Sequence, residues 1–409
     1  MNNIEQIWRF HEFRRLWFIG LASGSARWIE VLCFSVFAWK ITNDATVAGW
    51  LMTSRMSGVM LAGTLFTVFG GRHSGQLVMI TIYGLCAIAC GIGILITIAH
   101  YDSPSTPLIN LDIIVFAVIS FLSGMLWSID FSFRRRMLGD SLPPKLVGAG
   151  VSFDVMSSHA TRLVAMLAGG ALLGLGNITL LLVLLTLLYV CSGWMLRHAK
   201  DRNIRSKTGA AKTFNEVIKQ ARSSLPIIVV LALTPIFNIF VLPYLALIAL
   251  VLLERFRIGE ALAGTLSAIE GAGAVAGGVL IALVQPMKPV RVFIYALTGL
   301  LASLLMISSL PHLGPVMVAL FLGGILSSIY SAMQSTIIYN HSRVTLRSPT
   351  LSLMTLFIGT GVIGTLNVSW LATTNDVAQV IRIMSFEGIV MVAAILLVIK
   401  FHNKNSNFQ

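Results

Sequence analysis

The sequence predicts an all-α membrane protein with twelve transmembrane helices in two pseudo-symmetric six-helix bundles. Three observations carry that prediction. Of the 409 residues 56% are hydrophobic and only 11% charged, with a mean hydropathy of +0.86, a surface no soluble domain of this size could cover with polar groups. Twelve apolar stretches are each about 20 residues long, the length that crosses a bilayer core. The basic residues then fall almost wholly into alternate loops.

The first six stretches run near Leu16–Trp39, Val47–Phe69, Leu77–Ala99, Leu111–Phe133, Leu146–Gly174 and Asn177–Leu196. The second six run near Leu225–Leu253, Leu262–Val284, Val292–Leu310, Pro315–Ile338, Pro349–Ala372 and Val377–Ile399. If both termini face the cytoplasm, the inward segments hold 22 of the 29 Lys and Arg and the outward loops three, Lys40, Arg255 and Arg257. That asymmetry sets the orientation. It also accounts for most of the net charge of +13 without any nucleic-acid partner.

The first stretch follows Arg9, Arg14 and Arg15 but is too long for a signal peptide and is interrupted by Arg27 and Glu30, so it is expected to be a retained helix. The four cysteines, Cys33, Cys86, Cys90 and Cys191, lie within apolar stretches as small packing residues. No metal, nucleotide-binding or hydrolase motif occurs at a convincing spacing, and neither a cofactor nor an enzymatic activity is expected. The Gly-x-x-x-Gly pairs Gly20/Gly24, Gly170/Gly174 and Gly273/Gly277 are expected to let helices approach closely.

Residues 197–224 divide the chain into an amino-terminal bundle, residues 1–196, and a carboxy-terminal bundle, residues 225–409. The divider holds eight basic residues, with Phe214, Val217, Ile218 and Ala221 at helical spacing over Thr213–Arg222. This segment reads either as an amphipathic helix on the inner membrane surface or as a solvated linker helix. The bundles share an ungapped register: a shift of 215 residues pairs Ala48, Gly49, Leu51, Gly58, Gly63 and Leu65 with Ala263, Gly264, Leu266, Gly273, Gly278 and Leu280. A duplicated unit is the simplest explanation. In that register Arg55 is the counterpart of Glu270.

Several local features point to a family. Phe13-Arg14-Arg15-Leu16-Trp17 precedes the first stretch, Arg55 lies in the second, Arg135-Arg136 follow the fourth and Gly169-Gly170 lie in the fifth. Asn238 to Pro243 in the seventh and the glycine-rich Gly264 to Gly278 in the eighth complete the set. Two six-helix halves joined by a basic loop, with these residues, resemble the major facilitator superfamily, in the branch of macrolide-efflux proteins and enterobactin-type siderophore exporters. The resemblance implies alternating access and a monomer in a bacterial inner membrane. The family's Gly-x-x-x-Asp-Arg loop between the second and third spans reads Gly70-Gly71-Arg72-His73-Ser74-Gly75 here, without its acidic member.

Ionisable residues inside hydrocarbon cost about 2.5–3.5 kcal/mol each even on insertion scales, so they face a cavity or a partner. At about 1.5 Å per residue, Glu30, Arg55, Arg162 and Glu270 fall at one depth, with Arg27 and His159 nearer the middle and Asp154 deeper. Arg27, Arg55 and Arg162 are candidates for an electropositive wall that binds an anion, with His159 beside them. The plainer alternative is permanent ion pairing, Glu30 with Arg27 or Arg55 and Asp154 with Arg162. A proton-carrying carboxylate must titrate near neutrality, which apolar burial favours and a close arginine opposes. Glu270, with no basic residue in its own span, is the leading candidate, ahead of Glu30 and Asp154.

Asp130 beside Arg134, Arg135 and Arg136 reads as a cytoplasmic gate salt bridge, with Arg72 on the neighbouring loop, or more plainly as an interfacial charge. Pro235, Asn238 and Pro243 are expected to break the seventh helix at a hinge. Tyr330 and Gln334 offer neutral hydrogen-bonding groups to a cavity, or glue between helices. Glu387 is expected to pair or pack, and Arg382 to snorkel outward.

The function expected from these residues is secondary transport of a small organic anion, siderophore-like, exported by antiport against protons. Import of a ferric siderophore, efflux of macrolides or other drugs, and a non-transporting receptor or scaffold are the rival readings.

Overall fold

The computed structural model describes residues 3–42, 44–69, 75–102, 106–199, 210–284, 286–343 and 346–406, and among these every regular element is a helix. A short α1 (Asn3–Trp8) precedes α2 (His11–Thr42), α3 (Ala45–Phe69), α4 (Gly75–Asp102) and α5 (Thr106–Ile129). The π-helical turn Asp130–Arg134 leads into α6 (Arg135–Asp140), α7 (Pro144–Leu175) and α8 (Ile178–Arg197). The linker helix α9 (Ala210–Ser223) is followed by α10 (Leu225–Ile236), a second π-helical turn Phe237–Val241, and α11 (Tyr244–Phe256). The chain continues through α12 (Glu260–Val284), α13 (Pro289–Ser309), α14 (Leu313–His341), α15 (Arg347–Ile358), α16 (Gly361–Leu371) and α17 (Val377–Ser406).

Among the described residues ten helices are long and apolar enough to cross a membrane, and Leu356–Leu371 forms a shorter apolar helix. Exposed side chains such as Leu95, Leu187, Leu283 and Trp370 suit a lipid solvent, which has no water to penalise them. Local signals set the ends. Gly176 takes the left-handed conformation (φ 64°) that closes α7, and the Asn177 side chain accepts from the Leu180 amide at 3.1 Å to start α8. Pro stands in the first turn of α7, α10 and α13, where its missing N–H costs nothing.

The register between the halves reappears as packing. A Cβ on Gly58 would collide with the Phe121 carbonyl oxygen of α5, and one on Gly273 with the Phe321 carbonyl oxygen of α14. Gly124 lies in the same way against the carbonyl of Arg55, and Gly324 against that of Glu270. Gly63 faces Ser128 as Gly278 faces Ser328. The α3/α5 contact is therefore repeated by α12/α14, and Arg55 and Glu270 occupy equivalent backbone positions. Gly20 departs from the expected helix-packing role, since it leaves room for the Arg134 guanidinium.

The halves meet where α7 packs along α12, α3 along α16 and α2 along α11. A Cβ on Gly264 would stand 2.7 Å from the Gly170 Cα, so two backbones touch there. Lys40 Nζ also bridges the halves, 3.0 Å from Glu260 Oε1.

The linker segment forms the helix α9, and part of its apolar stripe packs on protein. Val217 and Ala221 are buried, and Val217 and Ile218 pack on Leu346 and Leu353. Gln220 donates to Thr350 Oγ1 at 3.3 Å and accepts from the Arg343 amide at 3.0 Å. This part of the stripe faces protein, because the carboxy-terminal half offers it a matching apolar patch.

Candidate functional site

Three groups of buried charge occupy the interior. The first belongs to the amino-terminal half. Arg55 of α3 donates through Nη2 to Glu30 Oε1 of α2 and through Nη1 to Ser123 Oγ of α5 at 3.0 Å. The Tyr189 hydroxyl of α8 donates to Glu30 Oε2 at 2.9 Å. Four helices thus contribute to one satisfied cluster, with Glu30 and Arg55 both buried. Of the two partners expected for Glu30, the structure selects Arg55.

The second group centres on Arg134, which no reading of the sequence placed in the interior. It donates to Asp130 in a two-pronged contact, to Asp154 Oδ1 at 2.9 Å and Oδ2 at 3.2 Å, and to the Leu16 carbonyl at 3.2 Å. Arg135 Nε stands 3.5 Å from Asp154 Oδ2. The π-helical turn carries Asp130 and Arg134 inward together, and Gly20 opposite supplies the space. The signal in the sequence was the four-residue spacing of Asp130 and Arg134 with a glycine on the first span. The expected Asp154–Arg162 pair does not form: Asp154 is held by Arg134 and Arg135, and Arg162, about two turns further along α7, lies against Glu270.

The third group joins the halves. Arg162 Nη2 of α7 lies 2.8 Å from Glu270 Oε1 of α12, both side chains being buried. The Arg162 guanidinium also stands over the Trp28 ring, 5.3 Å from its centroid. Among the described residues Glu270 Oε2 has no hydrogen-bond partner, nor does the Tyr244 hydroxyl, and both residues line a small cavity with Phe237, Val241, Leu304 and Ser327.

Arg27 stands apart from these pairs. Its guanidinium lies over Trp127, 5.2 Å from the ring centroid, and it lines a second cavity with Ser23, Ser123, Trp127, Asp130 and Tyr189. No carboxylate lies within ion-pair distance of it among the described residues. Ser123 and Tyr189 link this cavity to the Glu30–Arg55 cluster, so Arg27 and Arg55 are neighbours, whereas Arg162 stands with Glu270 elsewhere.

The remaining expected residues fall as follows. His159 is half-buried on α7 beside Arg162. Asn238, in the second π-helical turn, donates through Nδ2 to the Thr234 carbonyl at 2.8 Å. Gln334 donates to Thr234 Oγ1 at 2.7 Å and to the Tyr330 hydroxyl at 3.4 Å. The Tyr330 ring stacks between Phe237 and Phe293, with centroids at 4.4 and 4.7 Å. Tyr330 and Gln334 therefore bind α10, the π turn, α13 and α14 to one another, while Asn238 bonds within its own span. The seventh span is interrupted at the π turn and Leu242–Pro243, where α16 closes in: a Cβ on Gly364 would collide with the Ile239 carbonyl oxygen. Arg136 lies over Phe133 at 4.9 Å, Glu387 accepts from Asn367 at 3.2 Å, and Arg382 donates to the Ser308 carbonyl at 2.9 Å. Arg72 and the Gly70–Ser74 segment lie outside the described residues.

A family model described as Major Facilitator Superfamily matches residues 16–366. No curated protein sequence matches the chain. Among solved structures, a D-xylose-proton symporter superposes with a TM-score of 0.70 at 10% identity, covering 93% of this chain and 96% of that one. The nucleoside transporter NupG gives 0.65 at 10% identity, covering 95% and 98%. The human organic anion transporter MFSD10 gives 0.62 at 13% identity, covering 93% and 98%. At these identities the likeness establishes the fold.

Proposed function

This chain belongs to the major facilitator superfamily, and from that membership we propose that it is a secondary transporter of a small organic anion, driven by protons. In this reading twelve spans form two six-helix bundles that rock about a central site, as a monomer in a bacterial inner membrane with both termini cytoplasmic. The loop charge asymmetry supports the orientation, and the repeated α3/α5 and α12/α14 packing supports the duplication.

The observation that carries the proposal is the Arg162–Glu270 pair. It is buried, it spans the two halves, and it leaves one carboxylate oxygen unsatisfied. A proton delivered to Glu270 cancels its charge and loosens its hold on Arg162. The freed guanidinium then has reason to take an anion, or to separate from α12 as the halves rock. Opposite occupancies by proton and substrate are what antiport requires. Arg27, with no carboxylate partner and Trp127 beneath it, is the second cation offered to an anionic or aromatic-carboxylate solute.

Substrate class follows from the sign of these groups. The cations Arg27 and Arg162 favour carboxylate-rich, siderophore-like solutes over lipophilic cations. Export against proton entry is the proposed direction. The test is flux in proteoliposomes under an imposed pH gradient, scored in parallel for mono-, di- and tricarboxylates, a catecholate siderophore with and without iron, and a cationic macrolide. Gradient-driven movement of a carboxylate or the siderophore supports the reading. Movement of the macrolide alone makes the protein a drug exporter, and no flux of any of them favours a receptor or scaffold.

A further inference from the structure

Glu270 has two oxygens in two environments. Oε1 stands in ion-pair contact with Arg162 from the amino-terminal half, although the guanidinium Nη2 does not align to form a hydrogen bond with it. Oε2 is buried and without a partner, and Glu270 lines the cavity that also holds Tyr244, whose buried hydroxyl has no partner either. Two orphaned polar atoms at one cavity point to something that satisfies both, since each would otherwise cost the desolvation of an unmade hydrogen bond.

We propose that this cavity is a built water site, in which one water molecule bridges Glu270 Oε2 and the Tyr244 hydroxyl and forms the last station on the proton's path to Glu270. The space has room for about one water molecule. Ser327, buried on α14, adds a third oxygen to the lining, which matches the two to four partners a buried water takes. Phe237, Val241, Leu245, Leu300, Leu304 and Ile307 make up the apolar wall. Three side-chain oxygens fall well short of the roughly six that a hard cation gathers, which favours water.

The sequence supplies the geometry. The π-helical turn Phe237–Val241 and the break at Leu242–Pro243 place Tyr244 at the start of α11, on the face shared with Phe237 and Val241. Gly324 lets α14 close against the Glu270 carbonyl, which brings Ser327 alongside. Among the described residues the charged and titratable groups around Glu270 are Arg162 from α7, with His159 three residues before it, and Tyr244 from α11; α14 lines the cavity with Gly323 and Ser327. An excess proton reaching the water moves to Oε2: one O–H bond of the hydronium breaks, the carboxyl O–H bond forms, and neutral water remains. No further reactant is needed. Tyr244 is thus a positioning residue for the proton step.

The inference rests on Glu270 being the proton carrier, and infrared difference spectroscopy of the full chain in lipid, stepped in pH, separates the two. Wild type should show a carboxyl C=O band, lost in Glu270→Gln, together with a water O–H band that shifts in H₂¹⁸O. Tyr244→Phe should abolish the isotope-sensitive band and move the C=O band to higher wavenumber, a change that a merely structural role would not produce. Should Tyr244→Phe fail to assemble, Leu304→Phe, which fills the cavity from its apolar side, should remove the water band equally. A titrating Glu270 band with no H₂¹⁸O-sensitive partner, unmoved in Tyr244→Phe, overturns the water site and leaves the transport proposal standing. Absence of any band assigned to Glu270 overturns both the relay and the proton-carrier role.

Discussion

Arg162 and Glu270 come from different halves of the chain, 108 positions apart, yet the guanidinium Nη2 rests 2.8 Å from the carboxylate Oε1 in the buried seam between α7 and α12. Removing one partner of such a pair strands the other charge, a loss of about 3–5 kcal/mol. Glu270→Ala and Arg162→Ala are each expected to lower the unfolding temperature in detergent. The double variant Arg162→Leu/Glu270→Leu should recover much of that loss while remaining inactive in flux, since a well-packed apolar pair replaces the ions. Additive losses in the double variant would show that the two residues are not coupled.

The Glu30–Arg55 cluster should behave as a static element of the amino-terminal half. Tyr189→Phe deletes one hydrogen bond to a charged group and should cost about 1.5–3 kcal/mol. Arg55→Met should cost more, because it leaves Glu30 buried without its cation. Thermal unfolding and equilibrium binding measured on the same preparations separate the two effects. Weakened binding with no loss of stability would put Arg55 in the substrate site.

Arg27 gives the opposite signature. Having no carboxylate partner among the described residues, it can be changed to Gln at the cost of one desolvated cation–π contact with Trp127, about 2 kcal/mol, less than stranding a paired charge. Loss of a charge-assisted contact to a bound anion should weaken carboxylate binding by at least tenfold, about 1.4 kcal/mol. Arg27→Lys should recover part of it. Unaltered carboxylate affinity in Arg27→Gln would remove Arg27 from the binding role.

Small-residue packing makes a prediction that does not depend on substrate. Gly58→Ala and Gly273→Ala place a methyl group on a facing carbonyl oxygen, and because the backbone cannot yield cheaply both should cost about 1–3 kcal/mol as overpacking. Gly91→Ala, whose added Cβ meets nothing within 4 Å, should be neutral or slightly stabilising. Equal tolerance of all three in a thermal-shift assay would contradict the repeated close contact.

What the sequence conveyed and what it withheld divide along a physical line. Hydropathy reports burial in lipid one segment at a time, so the apolar helices and the 215-residue register could be read directly. That register set Arg55 opposite Glu270, and the glycine contacts show why: both hold the same place against a neighbouring helix. Depth counting brought Glu30, Arg55, Arg162 and Glu270 to one level but could not say who meets whom, since partner choice depends on helix rotation. Hence Glu30's partner was one of two expected, and Asp154 was matched with Arg162 on its own helix when its partner is Arg134. The four-residue spacing of Asp130 and Arg134 is legible, but the entry of Arg134 into the interior depends on a π-helical turn and on Gly20, neither of which has a periodicity to detect. Tyr244 was missed for the same reason, its position following from the second π turn. The apolar face of α9 is visible in the sequence, but most of what covers it, Leu346 and Leu353, lies over a hundred residues away.

The central claim is that protonation of Glu270 couples the proton gradient to movement of an anion. The most direct measurement is uptake of a radiolabelled carboxylate into proteoliposomes holding either wild type or Glu270→Gln, with and without an imposed pH gradient. The wild type should concentrate the carboxylate only when the gradient is present. Glu270→Gln should exchange labelled for unlabelled carboxylate across the membrane yet fail to respond to the gradient. Gradient-driven accumulation by Glu270→Gln equal to that of wild type would contradict the account.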